Sequence, residues 1–139
     1  MKDGSEVELT ARSPFWKGLR EYSPMSPMLG YYCSDIDAQM FNWRSGSFLV
    51  FEHKCRDVMP EPKQTNVLAL NNAMYEAAAP SGSYRGMFLI QHSGESTEDG
   101  PTTIYQMSGS TWVLEKNCIG FTKHFYGNEV FEFIRGKLL

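Results

Sequence analysis

The stretch that decides the fold is residues 34–55, SDIDAQMFNWRSGSFLVFEHKC. Its second half runs through four consecutive apolar residues, Phe48, Leu49, Val50 and Phe51, into the charged end Glu52-His53-Lys54. A strand that is apolar on both faces belongs in the middle of a sheet covered on both sides, as in an α/β layer. Residues 36–43 are also extended in pattern, and Arg44-Ser45-Gly46-Ser47 makes a short turn between the runs. The two runs therefore read as a β-hairpin. Pairing Trp43 with Phe48 sets Asp37 opposite Lys54 and Glu52 diagonal to Asp37. Because side chains alternate along a strand, Glu52 and Lys54 share one face and His53 points to the other.

Working outward, Ser13-Pro14 starts a helix with Phe15, Trp16, Leu19 and Tyr22 at helical spacing, and residues 23–30 (SPMSPMLG) stop it. The chain becomes extended from Tyr31. After a loop over residues 57–62, Val67, Leu70 or Asn71, Met74 and Ala78 recur at helical spacing through residues 64–79. Strands are expected over residues 84–92 and 102–107, flanking the acidic loop 93–101 (SGESTEDGP). A short helix or strand near 112–115 and a final helix over 128–138 complete a small mixed α/β domain. The reading is a polar extended segment, 1–12, followed by one domain, 13–139. Trp43, Tyr31, Tyr32, Tyr84 and Phe88 are expected to fill both sides of the sheet. The run VFEFIRGKLL (130–139) reads as a core helix or as an apolar face for a dimer partner.

With 139 residues, the chain has the length of one domain able to bury a core without disulfides. Its three cysteines, Cys33, Cys55 and Cys118, cannot all pair with one another and include no CxxC, so a reducing cytoplasm is the expected setting. The N-terminus carries acidic residues where a secretory signal needs an apolar run, and the longest apolar stretches, 48–51 and 87–90, cannot span a bilayer. A net charge of −3 offers no general attraction to nucleic acid. No GxSxG elbow or phosphate-binding glycine loop is present, and His92 and His124 lack partners at metal-binding spacing.

The chemistry converges on Asp35, Asp37, Glu52 and Lys54. Carboxylates gathered on a partly buried sheet face repel one another and lose solvation, and a divalent cation is the natural compensation. These residues resemble the motif of the PD-(D/E)xK nuclease superfamily: an aspartate opening one strand, a turn, and a (D/E)xK triplet closing the next. The resemblance implies a restriction-endonuclease-like α/β fold with an αβββαβ core, its mixed sheet flanked by helices. It implies a Mg²⁺- or Mn²⁺-dependent deoxyribonuclease of resolvase type, structure-selective or non-specific, in replication, recombination or repair, in a bacterial or phage-infected cell. Asp37 and Glu52 would hold the metal with the His53 backbone carbonyl, Asp35 being the second candidate for the aspartate. Lys54 would position or activate the attacking water. Glu21 on the preceding helix and Gln64 on the following one match positions that often join such a site. DNA is the implied partner, with Arg20, Arg44, Arg56, Lys63 and Arg85 meeting its phosphates, and pairing into a homodimer would serve to cut two strands.

Two blander readings stand beside this one. The four charged residues could form a cross-strand salt-bridge ladder of little energetic consequence. A catalytically silent protein of the same fold, binding nucleic acid or a protein partner as inhibitor or adaptor, is the alternative function, which the acidic balance favours. A second ExK triplet, Glu61-Pro62-Lys63, lies in a loop and lacks the strand context.

Overall fold

The computed structural model describes residues 14–34, 39–95 and 100–139, with the side chains of a few positions in 14–34 left aside. The expected extended segment, Asp35, Asp37 and part of the acidic loop lie outside the described residues. Helix α1 (Pro14–Glu21) is followed by two 3₁₀ turns, Ser23–Met25 and Pro27–Leu29, that the prolines of SPMSPMLG enforce. Then come β1 (Tyr31–Ser34), β2 (Gln39–Asn42), β3 (Ser47–Lys54), α2 (Pro62–Ala78), β4 (Tyr84–His92), β5 (Thr102–Ser108), β6 (Thr111–Leu114) and α3 (Glu129–Leu138).

The strands form one six-stranded mixed sheet in the order β1-β2-β3-β4-β5-β6. The pair β3–β4 is parallel and the other neighbouring pairs are antiparallel. A parallel pair needs a crossover, and α2 supplies it. Helices cover both faces. On one face Phe15 and Leu19 of α1 and Val130, Phe131, Ile134 and Leu138 of α3 pack with Leu49, Phe51, Phe88, Ile90 and Ile104. On the other, Leu68, Ala69 and Tyr75 of α2 lie against Val50, Met87 and Met107. The FLVF run is thus buried from both sides, which is why it can be apolar throughout.

Three expectations need correction. The hairpin pairs Phe41 with Phe48 and Asn42 with Ser47, two residues away from the expected Trp43–Phe48 register. The turn starts earlier because Gly46, at φ +74, donates its N–H to the Asn42 carbonyl at 2.8 Å and closes a loop that contains Trp43. A slip of two leaves every side chain on its expected face. Trp43 is consequently a turn residue, 56% exposed with the Arg44 guanidinium 5.3 Å above its ring, and not part of the core. Third, the stripe whose spacing marks α2 faces outward: Val67, Leu70, Met74 and Ala78 are exposed and the alternative Asn71 is half-buried, whereas Asn72 is buried. The sheet beneath α2 is partly polar, so the helix docks through hydrogen bonds as well as apolar contact. Tyr84 donates to Asn72 Oδ1 at 2.6 Å, and Trp112 Nε1 donates to Thr65 Oγ1 at 3.2 Å.

Candidate functional site

The EHK triplet closes β3. Alternation puts Glu52 and Lys54 on the α2 side and His53 on the α1 side. Glu52 Oε1 lies 3.6 Å from Lys54 Nζ, and both side chains are largely buried, at 13% and 18% exposure. Gln64, in the first turn of α2, donates from Nε2 to the same oxygen at 3.0 Å. Pro62 at the start of the helix fixes that turn just past the end of β3, so strand end and helix start bring three polar side chains together. Burial pushes the Glu52 carboxyl up from the ordinary carboxylate range, against the opposing pull of the Lys54 ammonium and the Gln64 amide. The group is a desolvated carboxylate whose charge is incompletely compensated.

Gln91 is a residue that the sequence reading did not single out, although a glutamine stands out in the apolar strand YRGMFLIQH. It is the register partner of Lys54 and is buried. Its Nε2 donates to the Val58 carbonyl at 3.0 Å and contacts Met59 Sδ at 3.0 Å, while its Oε1 accepts from Thr103 Oγ1 at 2.9 Å. It thereby ties the loop after β3 to β4 and β5. That loop leaves the strand through Arg56 and Asp57, both in the left-handed region at φ 55 and 57.

On the opposite face His53 is buried and stacked on Phe15 at 4.5 Å, with His92 at 4.7 Å. Burial, with the nearby His92 and Lys54, lowers its pKa to about 3. His53 is a neutral packing residue, and its backbone belongs to the β3–β4 ladder opposite Ile90.

The other candidates are dispersed. Glu21 is exposed at the end of α1, whose Phe15 and Leu19 pack on the His53 face, and no described hydrogen bond or ion pair joins it to Glu52 or Lys54. Lys63 is exposed beside Gln64, and Arg56, just past β3, is ion-paired with Glu95. Arg44 and Arg85 do not lie near Glu52. They sit at the hairpin turn and the start of β4, where Phe48 pairs with Tyr84, and four strand residues span about 13 Å. The turn of a hairpin and its open end are necessarily at opposite ends, and the triplet occupies the open end. The side chain of Arg20, together with Asp35 and Asp37, lies outside what is described.

Among the described residues no group of three or more His, Cys, Asp or Glu side chains is placed to hold a metal ion. The Glu52–Lys54–Gln64 cluster supplies one carboxylate, Glu52, whose charged form burial disfavours. Its Oε2 has no described partner, both contacts falling on Oε1. β2 begins two residues after Asp37, and its first residue, Gln39, pairs with Val50, two residues before Glu52. No described helix is long and apolar enough to cross a membrane. In comparison with known proteins, the chain matches no family model, no curated protein and no solved structure.

Proposed function

We propose that the protein is a metal-dependent nuclease that hydrolyses DNA phosphodiester bonds, of the restriction-endonuclease-like type. The observation that carries this reading is the meeting of Glu52, Lys54 and Gln64 at the open end of a hairpin, at the close of a strand buried on both sides. The element order α1-β1-β2-β3-α2-β4 also supports it, being the αβββαβ order that the motif resemblance implies. In this reading Glu52 holds the cation together with Asp37, or Asp35 in its place, and the His53 carbonyl. A bound Mg²⁺ or Mn²⁺ supplies positive charge for the phosphodiester oxygens. Lys54 orients the attacking water through Nζ, and Gln64 fixes the Glu52 carboxylate by occupying Oε1. In the reaction a water oxygen bonds to phosphorus, one phosphorus–oxygen ester bond breaks, and the water's proton leaves to solvent or the departing oxygen.

The test is cleavage of linear, branched and single-stranded DNA with Mg²⁺ or Mn²⁺. Glu52→Gln, Lys54→Ala and Asp37→Ala are expected to lose at least about a hundredfold in rate, and Gln64→Ala about tenfold. Equal cleavage by all variants would trace the activity to a contaminant and sink the assignment. The occupation of Glu52 Oε1 by Lys54 and Gln64 also suits a second reading, a catalytically silent protein of the same fold whose carboxylate is neutralised internally. Mn²⁺ binding that Glu52→Gln abolishes separates the two, since the silent protein has no use for the ion.

A further inference from the structure

Beyond β6, residues 115–125 form a small hairpin that rejoins β5 at the Thr102–Phe125 bridge. Its base is closed by Glu115 N–H to Ile104 O at 2.8 Å, by Lys123 N–H to Glu115 O at 3.1 Å, and by the Lys116–Thr122 bridge. Its tip is organised by one asparagine. Asn117 Oδ1 accepts from the N–H groups of Ile119 (3.1 Å) and Phe121 (3.0 Å). The Asn117 N–H donates to Phe121 O at 2.8 Å, and the Gly120 N–H to Asn117 O at 3.0 Å. Gly120 sits at φ +89, where a side chain would be strained. These four hydrogen bonds hold the tip from within, so its shape is set before anything binds.

This rigid tip presents its apolar side chains to water. Ile119 is 72% exposed and Phe121 68%. Neither is buried in the isolated molecule, and two residues apart on a braced tip they offer an apolar contact to a partner. The partner's character follows from the flanks. The hairpin, EKNCIGFTKHF, carries exposed Lys116 and Lys123 and one carboxylate, Glu115, which lies at its base away from the tip, in a chain whose net charge is −3. Lys123 Nζ lies 4.9 Å over the Phe125 ring, which steadies it beside the tip. An apolar point between two cations complements an anionic surface with an apolar interior, and stacked bases behind phosphates have that character.

Position selects DNA. Leu114 lies in one register row with Tyr105, Leu89 and Glu52, so the hairpin leaves the sheet at the Glu52 end. It stands three strand spacings, about 14 Å, to the side of that residue. We propose that hairpin 115–125 is a DNA wedge. Ile119 and Phe121 enter a base step while Lys116 and Lys123 contact the flanking phosphates, beside the Glu52–Lys54–Gln64 cluster. The proposal rests on the nuclease reading and adds its selectivity: duplexes already weakened by a bulge or a branch cost less to open and are preferred.

The test uses a duplex carrying 2-aminopurine, fully paired or next to a bulge, with EDTA present so that no cleavage occurs. The full-length protein is expected to raise 2-aminopurine fluorescence and to bind the bulged duplex about tenfold more tightly, the discrimination expected when one unstacking cost is already met. Ile119→Ser/Phe121→Ser, at two exposed positions and with an unchanged thermal melt, loses the fluorescence rise and the bulge preference. Lys116→Ala/Lys123→Ala keeps the rise at saturation but flattens the log K against log salt slope by about 1.8, the counterions of two phosphate contacts. A full fluorescence rise at wild-type affinity in the Ile119/Phe121 variant overturns the wedge, and the nuclease reading then stands or falls separately on loss of cleavage in Glu52→Gln. Binding to anionic phospholipid vesicles without binding to duplex overturns the wedge in favour of a membrane surface. Binding to neither overturns the wedge and the DNA reading together.

Discussion

Glu52 is held between opposing influences: burial favours its neutral form, while Lys54 and Gln64 favour its charged form. Removing either helper should push the carboxyl pKa further up, and a charge 3.6 Å away counts for more than a neutral amide at 3.0 Å. In a carbon-detected NMR titration the Glu52 midpoint should therefore rise in Lys54→Met, and by less in Gln64→Ala. A fall in either variant would contradict the assigned contacts. Part of this cluster was legible because Glu52 and Lys54 are two apart on a strand, and alternation alone puts them on one face. Gln64 entered the reading only through the motif resemblance, since its meeting with Glu52 depends on how α2 returns over the sheet. Gln91 was missed because nothing local says that a strand glutamine will anchor the loop of another element.

At the scale of elements, α2 is the instructive case. Helical spacing identified the helix through Val67, Leu70 or Asn71, Met74 and Ala78, a stripe that faces mostly outward, while the line that meets the sheet is Thr65, Leu68, Asn72 and Tyr75. The helix is apolar on both sides, and its true inner face is marked by polar residues that hydrogen-bond to Tyr84 and Trp112. Leu68→Ala should cost about 1–2 kcal/mol, below the range for fully buried core leucines because Leu68 is only half-buried, while Leu70→Ala should stay within about 0.5 kcal/mol. Urea denaturation with unchanged m values measures both, and an inverted order would put the wrong face on the sheet. The hairpin is the opposite case: its existence and its faces were legible, and a two-residue register error did no harm because the strand period is two.

For the whole molecule, the buried His53 couples protonation to folding. Its pKa, near 6.5 in the unfolded chain, falls to about 3 in the fold, so the unfolded chain binds the proton first as the solution is acidified. This contribution leaves stability intact above pH 6.5 and erodes it progressively below, by about 2 kcal/mol at pH 5. Chemical denaturation from pH 7.5 to 4.5 should show that loss, and an NMR titration in which His53 stays neutral to pH 4 would identify its source. Charge is likewise uneven over the molecule, so the net value of −3 describes neither the Glu52 cluster nor hairpin 115–125, whose two lysines outnumber its one carboxylate. By itself the sequence determined the three helices, the 36–55 hairpin, the strands at 84–92 and 102–107 and the doubly buried FLVF strand, because hydrophobic periodicity and turn chemistry act over a few residues. It also determined that Glu52 and Lys54 share a face. Only the tertiary structure decided which side of α2 meets the sheet, that Gln64 reaches Glu52, that Arg85 stands at the far end, and that Ile119 and Phe121 project into solvent. Each of these depends on how distant segments pack, and packing is settled by the summed burial and hydrogen bonding of the whole chain rather than by any local pattern.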